Sequence, residues 1–362
     1  MFYLSALKGG GAERTVVNIV NNLNKNKFEV VLVLLNNTNN DYIDLVSEDV
    51  KIRYLECNRI RYGIFKLRKA IVEEKPDLLF STLINNNLTL LAAKLLTFRK
   101  IPTIVREASN RTASGKVSLL NKIITFISYN FFAKEIIALS EGVREDLIYN
   151  FKISPRKIRV IYNPVEVDKI RLKSQDKITI FKEKSNVKNI IAVGRLVEAK
   201  DYFTLLRAMK IVLNKENVKL NIIGKGILEE TLKKTSKDLG IDNSVQFLGF
   251  KTNPYKYMRE SDLFVLSSKR EGFGHVIVEA MAVGVPVIST NCNSGPAEII
   301  KDDKYGVLVP VGDYKTLAKK IVELLRNENL RQYYREIGPQ RARDFEAKKI
   351  VNKYEKIFIQ NM

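Results

Sequence analysis

Apolar residues recur along this chain with two periods, and the alternation between them lays out the elements. Short runs rich in branched and aromatic side chains read as strands: MFYLSAL at the start, VVLVLL at 30–35, VKIRYL at 50–55, DLLFS ending at 81 and PTIVRE ending at 107. Between them apolar positions fall at helical spacing. A glycine turn leads into a helix through Val16, Val17, Ile19 and Val20, and further helices are predicted over 63–74 and 87–98. Strand, helix and strand in series predict a parallel sheet covered on both faces. Asn163 and Pro164 end the short strand IRVIYNPV, and the polar stretch from there to about 188 has little pattern, which places a domain linker.

A second series follows. NIIAVG, LNIIG, VQFLGF, DLFVLSS, PVIST and GVLVP alternate with helices expected at 201–214, 227–239, 275–283 and 313–326, and with shorter ones at 254–260 and 295–300. The second half is therefore also doubly wound. Phe345, Ile350, Tyr354 and Ile357 recur at helical spacing and predict one last helix over 339–358. The expected domains are 1–163, 164–340 and a C-terminal helix, 341–362, packing back on the first.

Composition narrows the function. At 362 residues the chain exceeds what one core organises, and no period of 20–50 residues marks a solenoid. Two cysteines, Cys57 and Cys292, and an opening without signal-peptide features point to a reducing, cytoplasmic setting. Apolar runs are strand-sized, far short of the roughly 20 residues that span a bilayer. A net charge of +21 invites a nucleic-acid reading. The lysine excess runs through the whole chain, however, and no nucleic-acid-binding signature appears, so anionic lipid or a phosphorylated substrate is the expected partner.

Doubly wound sheets bind ligands where glycine turns feed helix N-termini. LKGGGAERTVV sets Gly9, Gly10 and Gly11 after the first strand, which suits an anion or a plain tight turn. A dinucleotide fingerprint fits poorly, because its third glycine falls at Arg14 and no acid ends the next strand; no cofactor is expected. In AVGRLVEAKDY, Gly194, Arg195 and Lys200 follow a strand, and two cations at a sheet mouth suit a diphosphate or a solvated surface pair. In REGFGHVIVEA, Glu271 stands at a turn with Gly272 and Gly274, and Glu279 lies eight residues on, facing the same way if the helix begins near Gly274. Carboxylates so placed accept hydrogen bonds from sugar hydroxyls.

EGFGHVIVE, taken with GRLVEAK, GGGAER and SGPAE, resembles the family 4 group of retaining glycosyltransferases, over essentially the whole chain. The resemblance implies the α/β GT-B fold, two Rossmann-like domains facing each other across a cleft, and sugar transfer from a nucleoside diphosphate sugar, UDP-hexose or UDP-N-acetylhexosamine, to a glycan hydroxyl. Arg195 and Lys200 would bind the donor diphosphate, Glu279 the ribose and Glu271 the sugar. Gly194, Gly272, Phe273, Gly274 and His275 would lend contacts, Phe250 and Lys251 would lie near the base, and Gly10 and Gly11 would face the diphosphate from the first domain. His275 is assigned contact and not proton transfer.

Many relatives carry a histidine after the strand near 105, where this chain has REASN with Ala108 in its place. Arg106, Glu107 and Asn110 become the acceptor-side candidates, against ordinary surface roles. Relatives with the SGP form of Ser294–Pro296, ahead of Glu298, often act in assembling lipid-linked bacterial glycans. No DxD-type loop is evident, so no metal is expected. The rivals are a nucleotide-sugar epimerase, a phosphorylase with lysine-bound pyridoxal phosphate, for which no site appears, and a non-catalytic glycan- or nucleic-acid-binding protein.

Between Phe98 and Lys134 stand Arg99, Lys100, Arg106, Arg111, Lys116, Lys122 and Lys134 against one acid, Glu107. Leu120, Ile123, Ile124, Ile127 and Phe131 recur there at helical spacing. Two readings stand: the stripe packs in the first domain's core, or it lies in the interface of an anionic leaflet and brings the protein to the inner face of the membrane, where a lipid-diphosphate glycan is held.

Overall fold

The computed structural model describes residues 1–38, 40–57, 60–115, 117–177 and 187–362. Contacts divide the chain into two compact units, Met1–Val165 with Ala347–Met362, and Glu166–Glu346.

Unit 1 runs β1 (Phe2–Leu4), α1 (Gly11–Asn22), β2 (Val31–Leu34), β3 (Lys51–Tyr54), α2 (Ile60–Glu74), β4 (Leu79–Thr82), α3 (Ile84–Leu95), β5 (Thr103–Glu107), α4 (Leu119–Ile127), β6 (Glu135–Ala138), α5 (Glu141–Phe151) and β7 (Ile158–Val160). All strands are parallel, in the order β3-β2-β1-β4-β5-β6-β7. Because successive strand residues face opposite sides, Phe2 and Leu4 join one core and Tyr3 the other. The expected doubly wound sheet is present.

Unit 2 runs α6 (Val167–Lys173), β8 (Lys188–Val193), α7 (Tyr202–Leu213), β9 (Val218–Ile223), α8 (Glu229–Asp238), β10 (Val245–Gly249), α9 (Tyr255–Arg259), β11 (Leu263–Leu266), α10 (His275–Ala282), β12 (Val287–Thr290), α11 (Pro296–Ile300), β13 (Val307–Val309), α12 (Tyr314–Arg326) and α13 (Glu328–Ala342). Its parallel sheet has the order β10-β9-β8-β11-β12-β13. The patternless stretch after Pro164 holds α6, a short helix that buries only Val167 and Ile170, too few positions to show a period. The remainder of that stretch, 178–186, lies outside the described residues.

The tail is two helices and not one. α13 ends at Ala342, a tight turn spans Arg343–Phe345, and Glu346 is extended (φ −52, ψ 134) before α14 (Ala347–Asn361). Phe345 packs edge-on to Phe273, 5.3 Å between ring centres, inside unit 2. α14 closes the unit 1 core instead: Ile350, Val351, Tyr354, Ile357 and Phe358 pack with Phe2, Val16 and Phe80. The helical period simply ran on across the break.

Candidate functional site

Two loops of unit 2 meet where its strand order reverses. From β8 the chain moves outward to β9 and β10, then returns to lay β11 on the other side of β8. The turns after β8 and β11 therefore lie side by side at the carboxyl edge, where such sheets bind ligands.

Lys200 and Glu271 join these turns. Lys200 Nζ lies 2.5 Å from Glu271 Oε1, with side chains 18% and 11% exposed. Ser268 Oγ donates to the same carboxylate oxygen at 2.6 Å. Backbone bonds knit the loops behind the pair: Lys269 N–H donates to Ala199 O at 2.9 Å, and Ser267 Oγ donates to Lys200 O at 3.0 Å. A third loop, after β12, adds Ser294 Oγ donating to Glu271 O at 2.7 Å. Glu271 is thus fixed at side chain and backbone alike.

Close packing of these turns needs glycine at two places. A Cβ on Gly224 would stand 1.9 Å from Gly194 O. Gly295 has φ +86, and its Cβ would stand 2.3 Å from Phe273 O. Beneath the pair, Cys292 Sγ donates to Ser268 O at 3.1 Å, and burial pushes its thiol up to about 11, so it packs as a neutral group.

The other expected donor residues are distributed along the same edge. Arg195 is exposed in the turn after β8, with Gly194 accepting from Tyr202 OH at 3.2 Å. Gly272 is half-buried in the turn, Gly274 stands at the N-cap of α10, and Glu279 is buried one turn into that helix. His275 sits edge-on to buried Phe273, 5.6 Å between ring centres. Phe250 is exposed, and Lys251 Nζ lies 5.9 Å from the Tyr257 ring centre. Strand spacing puts their turn about 10 Å from the Gly194 turn, two strands along. The residues that sequence reasoning missed are Ser268, Tyr202 and Thr290, whose hydroxyl donates to Ser268 O at 2.6 Å. The paired serines after β11 were the available signal.

In unit 1 the order reverses between β1 and β4. Asn86 Oδ1 accepts from Ser5 N–H at 3.2 Å and Asp41 Oδ2 from Gly9 N–H at 3.1 Å, which holds the glycine turn, with Gly10 as N-cap and Gly11 opening α1.

Arg106 and Glu107 are not placed to touch an acceptor. Arg106 is fully buried, and its guanidinium donates to Thr82 Oγ1 at 3.0 Å, to Tyr354 OH at 3.2 Å and to Asn163 Oδ1. Glu107, equally buried, accepts from Tyr129 OH, and burial raises its carboxyl above the ordinary value. Alternation along β5 turns these neighbours to opposite faces of the sheet, both of them covered. Asn110 is half-buried and caps the turn that follows, accepting from Ala113 N–H at 3.0 Å.

The stripe of α4 faces outward. Leu119, Leu120, Ile123, Ile127 and Phe131 are exposed, the first two at 73% and 66%, while the residue α4 buries is polar Thr125. The reading that packs the stripe in the core is overturned, because the stripe is exposed and the side chain that α4 buries is bonded to Arg111. Lys116 lies outside the described residues. Among the described residues no helix is long and apolar enough to cross a membrane, and no group of three or more His, Cys, Asp or Glu is placed to hold a metal.

Comparison with known proteins bears on this architecture. The family model described as Glycosyltransferase Family 4 matches residues 9–169, and that of Glycosyl transferases group 1 matches residues 174–341. A relative from Campylobacter jejuni is 31% identical over 363 residues, covering 96% of each chain. This chain belongs to the family 4 glycosyltransferases. That relative is an N-acetylgalactosamine-N,N'-diacetylbacillosaminyl-diphospho-undecaprenol 4-alpha-N-acetylgalactosaminyltransferase. The glycosyltransferase also shares its fold with a solved glycosyltransferase from Rickettsia africae (TM-score 0.83, 19% identity, 99% and 98% of the two chains). Anabaena HepE, solved with UDP and glucose, matches likewise (TM-score 0.82, 20% identity, 99% and 98%). The two Rossmann-like sheets of the glycosyltransferase are those of the GT-B class.

Proposed function

We propose that this glycosyltransferase moves a sugar from a nucleoside diphosphate sugar, with UDP as the nucleotide, to a hydroxyl of a lipid-diphosphate glycan, with retention at the anomeric carbon. The observation that carries this reading is the Lys200–Glu271 pair on two loops at the unit 2 switch point. Lys200 and Arg195 balance the negative charge that develops on the departing diphosphate, without a metal ion. Glu271, held by Ser268, accepts hydrogen bonds from sugar hydroxyls, and Glu279 on α10 takes the ribose. The acceptor hydroxyl attacks on the face the diphosphate leaves, and a donor phosphate oxygen takes its proton. Unit 2 is the donor side and unit 1, with Gly10 and Gly11 at its own switch point, the acceptor side.

The acceptor class is supported by the Campylobacter relative, whose name specifies a diphospho-undecaprenol glycan, and by α4. Its exposed apolar face beside Lys122 and Lys134 suits an anionic leaflet at the inner face of the membrane, because the one acid of the segment, Glu107, is buried. Mass spectrometry of products from a panel of nucleotide sugars and polyprenyl-diphosphate glycans tests the reading. A hexosyl adduct that forms equally in EDTA is expected. Free sugar as the sole product, or a rate that EDTA abolishes and Mg²⁺ restores, would refute transfer or metal independence respectively.

A further inference from the structure

α4 is an inside-out helix, and what fastens it is polar. Its buried Thr125 accepts from Arg111 Nη1 at 2.9 Å, and Arg111 stacks over the Phe151 ring at 4.3 Å. The chain continues into a π-helical turn, Ser128–Phe132, which buries Tyr129 alone. Tyr129 OH donates to Glu107 Oε1 and accepts from Asn87 Nδ2 at 2.9 Å. Asn87 is fixed in turn by Ser81 Oγ, at 2.6 Å, and donates to Arg106 O at 3.0 Å. Lys157 caps the exit of the turn, donating to Ala133 O at 2.8 Å and to Asn130 O.

Glu107 is the last residue of β5, and Asn87 lies in the first turn of α3. Both belong to the carboxyl edge of the sheet. One phenol therefore ties the outward-facing apolar helix to the strand end that borders the acceptor side. An apolar interior would let such a helix slide or roll among similar packings. A buried carboxylate that accepts from the hydroxyl and an amide that donates to it hold the phenol in one place only.

We propose that Tyr129 and Glu107, with Asn87, are positioning residues that hold α4 in fixed register with the carboxyl edge of the unit 1 sheet, so that an acceptor carried in the bilayer is presented at a set height. The proposal rests on the reading of α4 as the membrane-docking surface. Tyr129→Phe removes the hydroxyl and keeps the ring, and Glu107→Gln keeps an oxygen to accept from Tyr129 where Glu107→Ala does not.

The probe is an undecaprenyl-diphosphate N-acetylhexosaminyl glycan in equal phosphatidylglycerol and phosphatidylcholine vesicles, compared with the same saccharide as a soluble methyl glycoside. For Tyr129→Phe and Glu107→Ala, KM for the vesicle-borne acceptor should rise about tenfold with kcat and UDP affinity kept, and KM for the glycoside should stay as in wild type. Glu107→Gln should recover most of that loss. Equal effects on both acceptors, or none on either, overturn the positioning role while leaving docking intact. Wild type that neither binds the vesicles nor distinguishes the two acceptors overturns the docking reading and this proposal with it.

Discussion

Lys200 serves an anion in the proposed reaction while bonded to Glu271, and an ammonium with three N–H donors can hold both. Ser268 holds the carboxylate by its own bond to Glu271 Oε1, independently of the ammonium. Lys200→Ala and Glu271→Ala should each lower turnover by two or more orders of magnitude, since a contact to a developing charge is worth roughly 3 kcal/mol. Melting temperatures should be nearly unchanged, and wild-type rates in either purified variant would remove that residue from the mechanism. Arg106 makes the opposite case. Replacing it with leucine leaves Thr82, Asn163 and Tyr354 short of a buried donor, at about 1–3 kcal/mol for a group left unsatisfied. Urea unfolding of Arg106→Leu should show a loss of about 3 kcal/mol or more; a loss under 1 kcal/mol would mean that the cavity admits water.

Among elements, α4 breaks the rule by which the others were read. Hydrophobic spacing marks a helix but not the side it turns to solvent, and only the buried Thr125 and Tyr129 decide that its stripe points out. Leu120→Glu with Ile123→Glu should abolish flotation on anionic vesicles without destabilising the fold, because both side chains already stand exposed. Unchanged flotation would move the docking surface elsewhere. The strands were legible because each is a short apolar run between turns, and the Glu271 and Lys200 turns because glycine and charge follow such runs. β6 and α5 leave little trace in the pattern: the strand is only Glu135–Ala138, and α5 has a weak apolar stripe with acids and an arginine interleaved. α3 starts at Ile84, earlier than its apolar period suggests, because Asn86 and Asn87 occupy buried positions in its first turn. What the pattern of types does not show is a polar side chain used inside, as Arg106 and Glu107 are.

At the scale of the molecule, unit 1 is assembled from two separated stretches of chain. Phe358 meets Phe2, Phe28 and Phe80 edge-on at ring-centre distances of 5.7–6.2 Å, and such edge contacts add about 0.5–1.5 kcal/mol each to area burial. Phe358→Ala should cost about 3–5 kcal/mol in unit 1. Calorimetry should then separate an early transition from that of unit 2, whereas one unshifted transition would show that α14 carries little of the stability. The same arrangement sets an order of events on the ribosome. Residues 1–165 emerge first, yet the face of their core that α14 covers stays open until the whole of unit 2 has been synthesised. The nascent chain thus carries an exposed groove of Phe2, Val16 and Phe80 for most of its translation, and unit 2, continuous in sequence, is free to complete its fold before the segment that was made ahead of it.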